Sequence, residues 1–150
     1  TDAALAVVAK EVEHVKGTAT TTNLVANPYG CYAMSDGKHF LAASLVHSYF
    51  GQNWHDGQAA ISAFNTVLPP NAPACEESGR WGDPNNLVIP PASRHPGGVN
   101  VLMADGSVTF VSETINTGNT AVYQPENGPS NYGVWGSLGS RKGGEAVSLP

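Results

Sequence analysis

His95-Pro96-Gly97-Gly98-Val99-Asn100-Val101-Leu102-Met103-Ala104-Asp105-Gly106-Ser107-Val108-Thr109-Phe110-Val111 reads as a β-hairpin. Asp105-Gly106 lies between two runs rich in β-branched residues and predicts a two-residue type I′ turn, whose central positions both need positive φ. Pairing across that turn sets Ala104 opposite Ser107, Met103 opposite Val108, Leu102 opposite Thr109 and Val101 opposite Phe110. Because side chains alternate along a strand, Val99, Val101, Met103, Val108 and Phe110 are expected on the core face. Asn100, Leu102, Ala104, Ser107, Thr109 and Val111 form the other, half-exposed face. Pro96-Gly97-Gly98 marks the strand entry, so the hairpin is placed over residues 99–112.

Composition agrees with a β-rich chain. Charged residues make up only 13 %, against 17 glycines and 11 prolines, which describes a loop-rich protein with a polar, uncharged surface. Apolar residues reach 41 % and are spread throughout, which excludes disorder. Residues 1–150 are read as a single domain, large enough to bury about two-thirds of its unfolded surface. The net charge of −5, with no cationic cluster larger than Arg141-Lys142, argues against a nucleic-acid partner. No apolar run approaches the ~18 residues of a membrane span. The chain opens on Thr1 rather than Met and is expected to be a processed or trimmed form.

Around the hairpin the elements are short. Leu5, Val8, Val12 and Val15 recur at helical spacing, so residues 1–17 are expected to hold one amphipathic helix, Asp2 to Lys16, ended by Gly17. The Thr-rich stretch 18–26 predicts an extended segment, and Asn27-Pro28-Tyr29-Gly30 a turn. Asp36-Gly37 predicts a turn between Cys31-Tyr32-Ala33-Met34 and His39-Phe40-Leu41, and Asp56-Gly57 predicts another. The stretch from Leu41 to Phe50 fits a short helix or a strand equally. Phe64 to Leu68 predicts a strand stopped by Pro69-Pro70. Residues 71–93 read as a long irregular loop pinned by Cys75 rather than by regular hydrogen bonding. Asn116 to Asn131 is again loop-like, and Gly133 to Gly139 leads to an expected last strand over Gly143 to Val147.

Cys31 and Cys75 are the only cysteines. They cannot form a zinc site unaided and have no Cys-x-x-Cys spacing, so in an exported chain they are expected to form one structural disulfide.

Several of these segments line up with one family. His95, followed by nine residues and Asp105-Gly106, resembles the signature of the planctomycete-type prepilin-processing-associated proteins. The flanking Ser93-Arg94, Phe110-Val111-Ser112, Trp54-His55-Asp56-Gly57, Phe64 to Asn71 with Cys75, and Trp135, Leu138 and Gly143-Gly144-Glu145 are similar to the same family, over residues ~31 to ~147. The resemblance implies an α+β fold: a loop-rich, antiparallel β-sheet head of pilin-like type with one short N-terminal helix. It also implies an exported type IV pilin-like or pseudopilin-like subunit whose partners are itself or other pilin-like subunits, at the cell surface or outside the cell. The long hydrophobic pilin helix has no counterpart here, since Asp2 to Lys16 is too short and too charged. Gly-Gly-Glu is also similar to the C-terminal loop of major pseudopilins, a calcium site in that group.

For chemistry, His95 is the residue to weigh. No nucleophile accompanies it in sequence, so its expected role, with Asp105 and Gly106, is structural: a ring bonded to the backbone at the strand entry. His55 beside Asp56 is read as part of a turn. Asp83, Asn85 and Asn86 are the candidate oxygen ligands for calcium, without the spacing of an EF-hand. No Gly-x-Ser-x-Gly elbow, phosphate loop or His-Glu-x-x-His motif is present, so neither an enzyme nor a required cofactor is expected. The alternative to a structural subunit is a monomeric cell-surface module for a glycan or envelope component, with Trp54, Trp81 and Trp135 as stacking platforms if exposed.

Overall fold

The computed structural model describes residues 18–41, 46–47, 55–77, 86–124 and 126–147. The expected helix over 2–16 lies outside them, as do Trp54, Trp81, Asp83 and Asn85.

β1 (Thr18–Thr21) is formed by the Thr-rich run, whose branched side chains suit a pleated surface. It pairs antiparallel with β2 (Val46–His47) and parallel with β3 (Ala74–Glu77), and β3 pairs antiparallel with β4 (Leu87–Val88). The strand order is β2-β1-β3-β4. The sheet is thus mixed, not purely antiparallel. A parallel pair needs a long crossover, and the chain between β1 and β3 supplies one. That crossover holds a 3₁₀ helix (Pro28–Met34) and α1 (Ala59–Ser62).

Cys31 to Met34, before the expected Asp36-Gly37 turn, lies in the 3₁₀ helix, where Pro28 presets φ at the first position. The Asp36-Gly37 turn forms: Ser35 bridges Phe40, and the Leu41 N–H donates to the Met34 carbonyl at 2.9 Å. Phe64 to Leu68 forms no strand. Asn65 takes the place of a ladder there, its side-chain amide donating to the Leu87 carbonyl while its Oδ1 accepts from the Ile89 N–H.

The expected irregular loop over 71–93 contains β3, a central strand of the sheet. Register puts Ala19 beside Cys75, both fully buried, and the Cys31–Cys75 disulfide, with Cα atoms 5.8 Å apart, ties the 3₁₀ helix to β3. Leu24, Phe40, Leu68 and Val88 complete this first core.

The second core lies under the hairpin, β5 (Gly98–Leu102) with β6 (Val108–Ser112). Val99, Val111 and Ile115 pack there against Trp135 of α2 (Gly133–Gly139). This segment was expected to lead into a strand. It is helical because Val134, Trp135 and Leu138 fall on one side, while the glycines leave room for close packing. A Cβ at Gly139 would meet Thr66, and one at Gly136 would meet Ser130 and Tyr132. Residues 143–147 form no strand. Two small sheets and a few short helices make the fold α+β.

Candidate functional site

The hairpin turns through three residues, not two. The Met103 N–H donates to the Ser107 carbonyl at 2.8 Å, and the Gly106 N–H donates to the Met103 carbonyl at 3.0 Å. Ala104, Asp105 and Gly106 therefore form the loop, with Gly106 at φ +87° as its left-handed residue. Asp105 closes the turn by accepting from the Ser107 amide and hydroxyl, at 2.9 and 2.7 Å. Those bonds, the hydroxyl first, hold its carboxyl below the ordinary aspartate range.

One extra loop residue shifts the register by one and exchanges the faces of β6. Leu102 pairs with Val108, Val101 with Thr109, Asn100 with Phe110 and Val99 with Val111. Val99 is buried as expected, and Val111, expected on the half-exposed face, is buried beside it. Val108 and Phe110, expected inside, instead join Leu102 on the outer face, with exposures of 67 %, 50 % and 71 %. Phe110 lies over Gly98, where a Cβ would clash with its ring. The outer face also carries Asn100 and has no ionisable side chain.

His95 sits at the hairpin entrance, exposed. Its backbone N–H, not its ring, makes the fixing contact, to Ser93 Oγ at 3.1 Å. Sequence reasoning missed Asn71 as the residue that fastens the entrance. Its backbone is left-handed, φ 63°, a conformation Asn tolerates. Its Oδ1 accepts from the Ser93 N–H at 2.8 Å, and its amide donates to Glu113 just past β6. The dipeptide Asn71-Ala72 following Pro69-Pro70 was the available signal.

The remaining candidates are dispersed. Asp56 accepts from the Gln58 N–H at 3.1 Å, at the start of α1. Asn86 donates its amide to Glu77, whose other oxygen accepts from the Leu24 N–H. Trp135 is only 1 % exposed, and its indole N–H donates to the Leu68 carbonyl at 2.8 Å, which removes it as a stacking platform. Among the described residues, no three His, Cys, Asp or Glu side chains gather into a metal-holding group, and no helix is long and apolar enough to cross a membrane.

A cleft of about 850 Å³ opens on the other side of α2. Leu24 and Val88 are among its lining residues, with Asn65, Gln124, Tyr123 and Arg141 contributing polar and aromatic groups. Its walls are tied down locally. Gln124 Oε1 accepts from the Ser130 hydroxyl and the Asn131 N–H, and Tyr132 donates its hydroxyl to the Val122 carbonyl at 3.1 Å. Glu145 accepts from the Ser130 N–H and the Ser137 hydroxyl, which draws its carboxyl below the ordinary glutamate range, the Ser130 amide contributing most.

A disulfide-tied α+β protein with an uncharged, partly apolar hairpin face is the class these features define. The chain belongs to the family described as "Protein of unknown function (DUF1559)", whose model matches residues 6–118. The match spans the six strands found among the described residues and ends before α2. No curated protein and no solved structure matches the chain.

Proposed function

We propose that the protein is an extracellular, pilin-like structural subunit that assembles with copies of itself, or with other pilin-like subunits, into a filament, tube or secretion-linked surface structure. The observation that carries this reading is the outer face of the hairpin. Leu102, Val108 and Phe110 form a contiguous apolar stripe on a two-stranded sheet, a surface that marks contact sites when left uncovered. Chains of net charge −5 repel one another in general, so an uncharged face is where identical copies can meet. The resemblance of the His95 to Gly106 segment to prepilin-processing-associated proteins supports the same reading, and a disulfide suits an oxidising exterior. On this reading the protein is not an enzyme and needs no cofactor.

Electron microscopy of the native material, with sedimentation of the purified chain, tests it. Polymers are expected, and they should be lost in the triple variant Leu102→Ser, Val108→Thr, Phe110→Ser while circular dichroism is unchanged. Monodisperse monomers under all conditions, with no polymer on cells, would overturn the proposal.

A further inference from the structure

Arg141-Lys142 is the only adjacent pair of cations in an acidic chain, and the subunit reading gives it no role. The fold places it directly after α2, on the lining of the 850 Å³ cleft. That volume lies within the range of about 300–1,000 Å³ typical of small-ligand sites. Both residues are exposed, and neither makes an ion pair among the described residues.

Three further properties narrow the ligand. Tyr123 lines the cleft at 49 % exposure, an aromatic side chain of the kind on which an apolar ring face stacks. Glu126 and Asn127 also line it, supplying an acceptor and an amide for hydroxyl groups. The Asn65 amide is held by the Leu87 carbonyl and the Ile89 N–H, so that wall is preorganised. A ligand that fits all of these has an apolar ring face, many hydroxyls and an isolated negative charge. Glu126 disfavours a densely charged polyanion, whose phosphates would crowd its carboxylate.

We propose that this cleft binds an acidic saccharide of the uronate class, with a sugar ring on Tyr123, its carboxylate on Arg141 and Lys142, and its hydroxyls on Glu126 and Asn127. Guanidinium binds carboxylate in a two-pronged, charge-assisted geometry, and the ammonium adds a second positive charge. The inference stands apart from the subunit reading, because the cleft and the hairpin's outer face share no residues.

Calorimetric titration of the full chain with galacturonate, which carries a single carboxylate, and with neutral galactose tests the proposal at low salt. The uronate is expected to bind at least about tenfold tighter than the neutral sugar, the difference made by one charge-assisted contact. The double variant Arg141→Gln, Lys142→Gln should erase that difference, and Tyr123→Ala should weaken both sugars. Equal affinity for the two sugars, or no binding of either, would overturn it. So would hexaglutamate binding as tightly as the uronate with Tyr123→Ala without effect, an outcome that assigns the cleft to an acidic peptide.

Discussion

The two cores are held together in different ways. The four-stranded sheet is assembled from strands of two to four residues drawn from positions 18 to 88, and a disulfide ties its β3 to the 3₁₀ helix. The hairpin unit has five-residue strands that are neighbours in sequence and no covalent tie, and its core is completed by one helix arriving from residue 133. Short strands with distant partners gain little from local pairing and carry a large loop-closure cost. A covalent link offsets that cost where it is greatest. The hairpin closes through three loop residues and needs only something apolar to lie on, which Trp135 provides. The Trp135 indole also joins the two cores, since its N–H ends on the carbonyl of Leu68, a first-core residue.

That junction carries the largest expected effect. Trp135→Ala removes a fully buried indole, at about 3–5 kcal/mol for such a truncation. It also strips the Leu68 carbonyl of its donor, a further loss of about 1–3 kcal/mol. Against a total stability of about 5–15 kcal/mol, the variant is expected to be largely unfolded or to melt in dilute urea. Urea denaturation followed by far-UV circular dichroism checks this. If the hairpin unit alone melts and the four-stranded sheet keeps its midpoint, Trp135 does not couple the cores.

Next in size is the disulfide. Replacing Cys31 and Cys75 together by Ala opens a loop with a sequence separation of 44, a change worth about 4 kcal/mol in the chain-entropy account. The loss should fall unevenly. Amide exchange is expected to accelerate most at Ala19 and Cys75→Ala, which pair across β1 and β3, and least at Val99 and Val111 in the hairpin. Equal loss of protection in both units would show that the two cores open as one.

The same contrast explains what could be read in the sequence. The hairpin was legible because its signals are local: β-branched runs on either side of Asp105-Gly106. Its register was misread by one residue, since Asp-Gly serves a two-residue turn and a three-residue loop with a left-handed glycine equally well, and only the Met103–Ser107 bonds decide. That one residue moved Phe110 and Val108 outward and created the face on which the proposed assembly rests. β3 was not legible. Its four residues, Ala74 to Glu77, include two glutamates and follow a proline-rich stretch, and they are extended because of β1, more than fifty residues earlier. α2 was hidden by its glycines, which lower helix propensity but are needed where the helix lies against Thr66 and Ser130. The cleft was invisible for a similar reason: Leu24, Asn65, Val88 and Arg141 are brought together only by the crossover and α2.

The smallest expected effect lies in how each unit ties an aspartate into a turn. Asp36, in the turn after the 3₁₀ helix, is held below the ordinary aspartate range first by the His39 amide and then by the Lys38 amide, at 2.7 and 2.9 Å. Asp105, in the hairpin loop, is lowered first by the Ser107 hydroxyl and then by the Ser107 amide. In both, the folded carboxyl gives up its proton more readily than the unfolded one. Each therefore stabilises the fold above the ordinary aspartate pKa, and that contribution is lost as pH falls through the lower folded value. Both groups are solvent-exposed, so the effect is modest and is read better from titration than from melting. Ser107→Ala removes one of the two bonds at Asp105, and NMR titration of the side-chain carboxyls should show its midpoint rising toward the ordinary value. Asp36 should not move, because its bonds come from backbone that no side-chain replacement removes. An unshifted Asp105 in Ser107→Ala would mean that the loop amide alone sets its charge, and the two turns would then be electrostatically alike.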